Sequence, residues 1–590
     1  MKDQAVLILG LGASGLAMAR WCVRQGAQVT VADTREAPPQ LAALRAECPQ
    51  AHFVAGAFDD ALLARADWRL IARSPGLAPA ALQAVTDWAR EREVAVVGEL
   101  ELFARALREL AARERLPYRP KVLAITGTNG KTTVTSLTGL LLQRAGLNVA
   151  VAGNIGPALL DVLGAALDHE AVAQKADDER AEAEASEART QQPAPPDEVP
   201  EGAEVQEGAA PDSDLVAVVA NEEDEGGPAP IVPPPVEPPQ PAHLPAVWVL
   251  ELSSFQLDGT PGGAWDGVPT AATVLNITED HLDWHGSMQA YTAAKAAVFG
   301  RQALMLLNRD DPQVMALQPG LVTVKVGNRN RQQSARPWAS FGFDAPVRAG
   351  DWGIESVNGM DWLVRALALD ETRKRGRGAE EEEELYFQRL MPVDALRIRG
   401  RHNAANALAA LALASSTGAA LGPMLHGLRE YRGEPHRVEP VAIVDEVEYF
   451  DDSKGTNVGA TLAAVRGLGA ERRLVVILGG DGKGQDFTPL AAPLARHARA
   501  VVYIGRDAGL LRAAVGAALD QTQVPQLDAA TLPQAVTLAA EQAKPGDAVL
   551  MSPACASLDM FDNYVHRARV FVASVQALAL ERGVSLEAGQ

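Results

Sequence analysis

Lys121-Val122-Leu123-Ala124-Ile125-Thr126-Gly127-Thr128-Asn129-Gly130-Lys131-Thr132-Thr133 is the stretch that decides the fold. The apolar run Val122–Ile125 reads as a buried strand. The Thr, Gly and Asn residues read as a tight turn, and Thr133–Ala145 reads as a helix. Strand, glycine turn and helix in that order make a phosphate-binding loop. Backbone N–H groups of Gly127, Thr128, Asn129, Gly130 and Thr133 would cradle the phosphates. Lys131 would neutralise them, and the Thr132 hydroxyl would bind Mg²⁺. The spacing departs from the general GxxxxGK[ST] pattern, because Ile125 stands where its first glycine would be.

Outward from this loop the same grammar repeats. Val6–Leu9, Val29–Ala32, Val247–Leu250, Thr273–Asn276, Val475–Leu478, Val501–Ile504 and Ala548–Met551 read as buried strands. Helical patterns such as Asn403–Ser415 lie between them. Alternation of this kind predicts an α/β chain with parallel sheets. Three regions are expected, at 1–116, 117–433 and 434–590. In parallel sheets, ligands gather at the carboxyl ends of strands. Glu251 closes one such strand and is a candidate Mg²⁺ ligand. His281, in Asn276-Ile277-Thr278-Glu279-Asp280-His281, follows the next and is a candidate ligand or base. Lys295, by spacing alone, is an ordinary helix lysine.

A second glycine turn, Gly10-Leu11-Gly12-Ala13-Ser14-Gly15, follows the first strand and opens a helix. The helix N-terminus offers free N–H groups and a positive dipole end to a phosphate. Asp33 closes the following strand, where a ribose-binding carboxylate would sit. Alone, this pattern says NAD, yet the same geometry serves any nucleotide diphosphate. Arg35, two positions on, could meet a phosphate or a ring.

Composition excludes several classes. The chain has 590 residues, 47% hydrophobic and 22% charged, with a formal charge of −21. Of that charge, −17 falls within residues 168–245, where 20 acids face 3 bases. This segment holds 14 of the 38 prolines and no aromatic residue. It cannot bury enough apolar surface to offset its ordering entropy. A disordered insertion is expected there, with a helical piece around Ala171–Ala188. The remaining charge is −4, so acidity is not a property of the body of the protein. A general nucleic-acid surface is not expected. The blocks Arg373–Arg377 and Glu380–Glu384 read as a solvated loop or hairpin tip. Cys22, Cys48 and Cys555 are too few and too scattered for a disulfide framework and fit a reducing cytosol. No apolar run is long enough to span a membrane, and the apolar N-terminus is explained by its glycine turn rather than by secretion.

Many short motifs in one order make the resemblance specific. They are the phosphate loop, Gly153-Asn154-Ile155-Gly156, Glu251-Leu252-Ser253-Ser254-Phe255-Gln256-Leu257 and Asn276 through His281. Then come Gly400-Arg401-His402-Asn403-Ala404-Ala405-Asn406, Pro435-His436-Arg437 and Asp452-Ser453-Lys454-Gly455-Thr456-Asn457. Gly479-Gly480-Asp481-Gly482-Lys483-Gly484 and Ser552 through Asp559 complete the series. The chain resembles the Mur ligases, ATP-dependent amide-forming enzymes of peptidoglycan precursor synthesis, and within them the D-glutamate-adding branch. The likeness runs through nearly all of the chain except the two insertions.

The resemblance implies a Rossmann-like UDP-binding domain, a central P-loop ATPase-like domain and a C-terminal Rossmann-like domain. It reassigns the N-terminal glycine loop from NAD to a UDP-sugar, with Ser14, Asp33, Thr34, Arg35, Ser74, Pro75, Gly76 and Asn154 around the substrate. It implies that Lys295 is carbamylated and binds a second Mg²⁺ beside His281, Mn²⁺ being an alternative metal. Asn403, Asn406, Arg437 and Asp452 match ATP contacts, and Lys454 matches an active-site lysine. Thr456, Lys483, Ser557 and Tyr564 match the D-glutamate site; the last position is often Phe in the family. Catalysis would rest on Lys131, Glu251, His281, Lys295 and Lys454. The implied substrates are ATP, D-glutamate and UDP-N-acetylmuramoyl-L-alanine, in a cytoplasmic monomer with no nucleic-acid or membrane partner. Rival readings are a folylpolyglutamate-synthase-like ligase, which lacks a comparable N-terminal domain, and a non-catalytic nucleotide-binding protein, which should have lost one of Lys131, Glu251, His281 or Lys295. Cys555 lacks a paired histidine motif and reads as packing.

Overall fold

Five β-rich runs near the N-terminus are β1 (Ala5–Leu9), β2 (Gln28–Asp33), β3 (His52–Ala55), β4 (Leu70–Arg73) and β5 (Ala95–Val97). They form one parallel sheet in the order β3-β2-β1-β4-β5. The order reverses between β1 and β4, which opens a crevice at the carboxyl end of β1. The Gly10–Gly15 turn lies there. In this computed structural model the described residues are 1–154, 156–190, 241–326, 329–369, 385–398 and 400–584.

The central sheet contains β6 (Lys121–Thr126), β7 (Val149–Gly153), β8 (Val247–Glu251), β9 (Ala271–Val274) and β10 (Leu304–Asn308). After a separate hairpin, β11 (Leu321–Val326) with β12 (Arg329–Ser334), come β13 (Trp338–Phe341), β14 (Trp352–Val357), β15 (Met360–Ala368) and β16 (Leu385–Pro392). The order is β16-β15-β14-β13-β10-β9-β6-β8-β7. Pairing is parallel from β14 to β7, but β15 and β16 run antiparallel at the edge. Alternation of apolar runs could not reveal that edge, because β15 and β16 are half-exposed and carry Arg365 and Arg389.

The third sheet holds β17 (Glu439–Val444), β18 (Val447–Asp451), β19 (Leu474–Gly479), β20 (Ala498–Ile504), β21 (Gln526–Asp528) and β22 (Ala548–Met551). Its order is β17-β18-β22-β19-β20-β21, parallel except for the β17–β18 hairpin.

Packing differs between the bodies. One apolar cluster runs from the first sheet into the second, joining Trp21, Leu102 and Leu107 to Trp248, Leu250 and Trp265. Phe103 meets Trp248 edge-on at 5.0 Å. The third sheet is covered on its faces by two clusters of its own. A shared apolar core fixes two bodies together; a polar contact leaves them free to part.

Three expectations need correction. Composition predicts disorder from residue 168, but as far as Thr190 the chain is one helix, Leu159–Thr190, which contains the helical piece expected at Ala171–Ala188. Residues 171–189 are rich in Ala and Glu, whose helix propensity makes up for the missing aromatic anchors. The helix is also tied down: Arg24 pairs with Asp168 at 2.7 Å, the His243 N–H donates to Glu170 at 2.9 Å, and the His243 ring lies 2.9 Å from Asp177. Residues 191–240 and the Arg373–Glu384 segment lie outside the described residues. Secondly, β9 ends at Val274, so Leu275 and Asn276 belong to the loop. Thirdly, the loop helix spans Lys131–Arg144, starting two residues early because Gly130 caps it. Among the described residues, no helix is long and apolar enough to cross a membrane.

Candidate active site

The central loop sits at the carboxyl end of β6. Gly130, with φ of +83°, turns the chain into the helix, a conformation that favours glycine. Lys131 folds back, its Nζ donating to the carbonyls of Gly127 at 2.9 Å and Thr128 at 2.8 Å. The loop is braced from the β9 side. Thr128 N donates to Asn276 O at 2.9 Å, Asn129 N donates to Asn276 Oδ1 at 2.8 Å, and Thr128 Oγ1 lies 3.2 Å from the Tyr291 hydroxyl.

Lys295 enters from the helix Met288–Ala296 and is only 2% exposed. Its Nζ donates to Gly127 O at 2.8 Å and lies 4.5 Å from the Tyr291 ring centre. Burial, and secondarily the charge of Lys131, push its pKa well below the ordinary lysine value. Burial also lowers Lys131, against the pull of Glu251.

Glu251 is buried at the end of β8. Its Oε1 accepts from Asn154 Nδ2 at 3.3 Å, and its backbone carbonyl takes Asn154 N at 2.9 Å. His281 has a φ of +54° and faces the Phe255 ring at 4.8 Å. Burial lowers its pKa, with Asp280 opposing, so a neutral imidazole is favoured. Thr132 offers a hydroxyl, Glu251 a carboxylate and His281 a neutral imidazole, donor types that Mg²⁺ or Mn²⁺ accepts; the Thr132 hydroxyl is here bonded by Arg437.

The third body faces this loop. Arg437 donates to Thr132 Oγ1 at 2.6 Å. Asn406 donates to Asn403 Oδ1 at 3.0 Å, and a Cβ on Gly130 would lie 2.8 Å from Asn406 Oδ1. Asp452 is buried with its Oδ2 accepting from Ser552 Oγ at 2.6 Å. Burial pushes its pKa up to about 7. Lys454 places its Nζ 3.9 Å from the Tyr564 ring centre. The loops carrying Lys483 and Ser557 are bridged by reciprocal bonds between Asp481 and Ala556 at 2.9 and 2.8 Å. Thr456 follows Lys454, whose carbonyl accepts its N–H at 2.9 Å.

The N-terminal loop is built from different parts. An added Cβ at Gly15 would sit 2.0 Å from Gly10 O. Ser74 Oγ donates to that same carbonyl at 2.8 Å. Asp33 accepts Leu11 N at 2.7 Å and is gripped by Arg35 through Nε and Nη2, each at 2.8 Å. Arg35 holds its pKa down to about 2. Its oxygens are thus engaged by the loop itself, which removes the ground for reading Asp33 as a free NAD ribose acceptor. Thr34 and Gly76 are exposed beside it, and Pro75 is half-buried. Thus Ser14, Asp33, Thr34, Arg35 and the Ser74–Gly76 turn gather at one crevice, with Asn154 at the central site beside Glu251.

Sequence reasoning missed several residues. Glu99 is buried between the first two bodies, bonds Ser14, and accepts Leu160 N at 3.1 Å; burial raises its pKa. Arg73 bonds Asp258 at 2.9 Å. Arg567, fully buried, donates to Ser453 O at 2.9 Å and Cys555 O at 3.2 Å. A lone acid or arginine at a helix or strand position gives no sequence signal of this kind. The three cysteines are free and buried.

Comparison with known proteins gives a consistent result. Residues 4–98 match the Mur ligase MurD-like N-terminal domain, 242–341 the Mur ligase middle domain and 436–555 the Mur ligase glutamate ligase domain. A UDP-N-acetylmuramoylalanine--D-glutamate ligase of Albidiferax ferrireducens is 55% identical over 587 residues, covering 100% of this chain and 99% of that one. The protein of the same name from a Polaromonas species is 51% identical, covering 99% and 100%. That of Burkholderia cenocepacia is 50% identical, covering 98% of each. Among solved structures, the UDP-N-acetylmuramate-alanine ligase MurC of Thermotoga maritima aligns over 98% of this chain and 100% of that one, at 17% identity and a TM-score of 0.47.

Proposed function

The chain belongs to the Mur ligase family, and on that premise we propose that it joins D-glutamate to UDP-N-acetylmuramoyl-L-alanine with the hydrolysis energy of ATP. It is a ligase of peptidoglycan precursor synthesis, as its full-length relatives are named. The observation that carries the reading is the meeting of the phosphate loop with the third body, through Arg437 on Thr132 at 2.6 Å. On this reading, that contact joins the body proposed to hold the amino acid to the loop proposed to hold the nucleotide.

In the reaction, the γ-phosphoryl group passes from ATP to the L-alanyl carboxylate, giving ADP and an acyl phosphate. The D-glutamate amine then attacks the acyl carbon. A C–N bond forms, the C–O bond to phosphate breaks with its electron pair, and the amine proton is lost. Transfer of this kind depends on in-line placement and charge neutralisation. Lys131, now resting on its own loop carbonyls, would swing onto the phosphates. Thr132, Glu251 and His281 would hold Mg²⁺, which when bound neutralises phosphate charge. Burial favours the neutral amine of Lys295, the form that can attack CO₂; the resulting N–C bond and lost proton would make it an anionic carbamate that can serve as a further oxygen ligand. Arg437, Asp452, Asn403 and Asn406 would enclose the nucleotide. Lys483, Ser557, Thr456 and the helix start at Tyr564 would bind the two carboxylates of D-glutamate, with Lys454 at the reacting centre.

The first body, 1–116, would hold the UDP-sugar, 117–433 the ATP and 434–590 the amino acid. The enzyme is proposed to work as a cytoplasmic monomer. The test is phosphate release from ATP with UDP-N-acetylmuramoyl-L-alanine, offering D-glutamate, L-glutamate, L-lysine or L-alanine. Release with D-glutamate alone is expected. Release with another amino acid and not D-glutamate would overturn the substrate assignment.

A further inference from the structure

Resting on the ligase reading, we propose that Asn457 and Gly459 seat the third body on the phosphate loop and thereby couple the nucleotide site to D-glutamate affinity. Asn457 does two jobs. Its Oδ1 caps the helix Val458–Gly469 by accepting Ala460 N at 2.8 Å. It also exchanges amide bonds with Asn129 of the phosphate loop, Asn457 Nδ2 donating to Asn129 Oδ1 at 3.3 Å and Asn129 Nδ2 donating to Asn457 Oδ1 at 3.5 Å. Asp280 Oδ2 lies 3.5 Å from the same Nδ2. Two amides bonding in both directions make a self-complementary contact that neither forms with a misaligned partner.

Gly459 fits the same surface by having no side chain. A Cβ there would lie 2.9 Å from Thr278 Oγ1 and 3.1 Å from Asn129 Nδ2. Glycine weakens a helix, so its presence at the second helical position calls for a reason. The close approach supplies one. Thr278 N in turn donates to Thr128 Oγ1 at 3.0 Å, so the helix start presses on the braced loop itself.

The chemistry of the joint suits a reversible contact. The third sheet keeps its own apolar clusters, and what meets the loop here is polar. Asn457 directly follows Thr456, a proposed D-glutamate contact. A nucleotide that orders the loop fixes Asn129, which favours the seated position of Asn457 and so assembles the amino-acid site. Linkage requires the reverse as well: D-glutamate would tighten nucleotide binding by the same factor. Asn457 and Gly459 are positioning residues, since neither need touch a reacting atom.

Asn457→Ser separates the two jobs. Serine still caps a helix but cannot reach Asn129. In the wild-type protein the KM for D-glutamate should fall as ATP rises. In Asn457→Ser that KM should be about tenfold higher and insensitive to ATP, with kcat within about twofold and melting temperature unchanged. Gly459→Ala should raise the same KM while leaving the melting temperature equal or higher, because alanine favours the helix. Hydrogen exchange gives a readout without turnover: ATP should increase protection of residues 457–469 in the wild-type protein but not in Asn457→Ser. Wild-type KM and protection in both variants would overturn the proposal, as would losses that track a lowered melting temperature. If the wild-type protein shows the protection but no turnover with D-glutamate, the substrate reading falls and the seating contact stands.

Discussion

Two glycine turns, Gly10–Gly15 and Gly127–Gly130, each follow a buried strand and open a helix, yet they are furnished in opposite ways. The first is knitted to its own surroundings by acids and hydroxyls: Asp33 on Leu11 N, Ser74 on Gly10 O and Glu99 on Ser14. The second gathers cations, with Lys131 and Lys295 both on Gly127 O and Arg437 on Thr132. Its partners come from two different bodies. Backbone geometry makes either turn a seat for phosphate, and the side chains decide what the seat does. On the proposed function, the first would hold a ligand still and the second a group that is transferred.

The strongest way to break that contrast is to remove the cations. Lys131→Ala and Lys295→Ala should each lower phosphate release by about 10³-fold or more, the scale of losing a main electrostatic contact in the transition state. Only Lys295→Ala should recover part of its activity with formate or acetate, because a small carboxylate can replace a carbamate but not an ammonium. Unimpaired turnover in Lys295→Ala, or equal rescue of both variants, would end the carbamate proposal.

Glycine substitutions sharpen the contrast from the other side. Gly15→Ala would drive a Cβ into Gly10 O at 2.0 Å, a backbone atom that cannot swing away. A destabilisation of about 3 kcal/mol is expected in urea unfolding, the cost of overpacking at its upper end. Gly12→Ala, where nothing lies within 4 Å, should be close to neutral. Gly130→Ala should cost less stability than Gly15→Ala but more nucleotide affinity: its φ of +83° strains an alanine by about 1 kcal/mol, while its nearest neighbour is the movable amide of Asn406. Equal losses for Gly15→Ala and Gly12→Ala would show that the first loop is not closely packed.

Much of this contrast is legible in the sequence, and the rest is not for definable reasons. Both turns, their strands and the carboxyl-edge residues Glu251 and His281 follow from local pattern, because glycine, apolar runs and helix starts act over a few residues. Lys295 cannot be found that way: its importance arises from burial against Gly127, 168 positions away. The Asn457–Asn129 contact spans 328 positions and leaves no periodic trace. The edge strand β16 and its neighbour β15 escape because half-exposed strands lose the apolar run that marks buried ones. The acidic stretch up to Thr190 is helical rather than disordered because helix propensity acts locally and because His243, 66 and 73 positions from Asp177 and Glu170, ties the helix down, where composition speaks only of burial.

A carboxylate beside each loop titrates in the opposite sense. Asp452 is pushed up to about 7, chiefly by burial. Between pH 4 and 7 the unfolded chain therefore ionises this group first, and the native state binds more protons. Stability from this residue should fall as pH rises across that window and level off above it. A tenfold difference in proton affinity is worth about 1.4 kcal/mol, so the effect is at most a few kcal/mol. Asp452→Asn should flatten the slope of urea midpoint against pH from 4 to 7 while weakening ATP binding. An unchanged slope would mean that Asp452 is ionised in the native protein.

Asp33 should do the reverse, and more weakly. Arg35 holds it down to about 2, with help from Leu11 N, so the native carboxylate is favoured over the unfolded one. Its contribution is fully present above about pH 4 and is lost as pH falls toward 2. Arg35 is 55% exposed, and an ion pair with one wet partner contributes little in salt. Arg35→Ala should therefore move the urea midpoint at pH 7 far less than Gly15→Ala does. It should also make the acid limb between pH 4 and 2 shallower, because the native Asp33 then titrates nearer its unfolded value. The KM for the UDP-sugar should rise with little change in kcat, since the guanidinium is released from the anion seat and not from the transfer site. A loss of stability as large as that of Gly15→Ala would place Arg35 in the frame of the first loop and remove its role as a dispensable clasp.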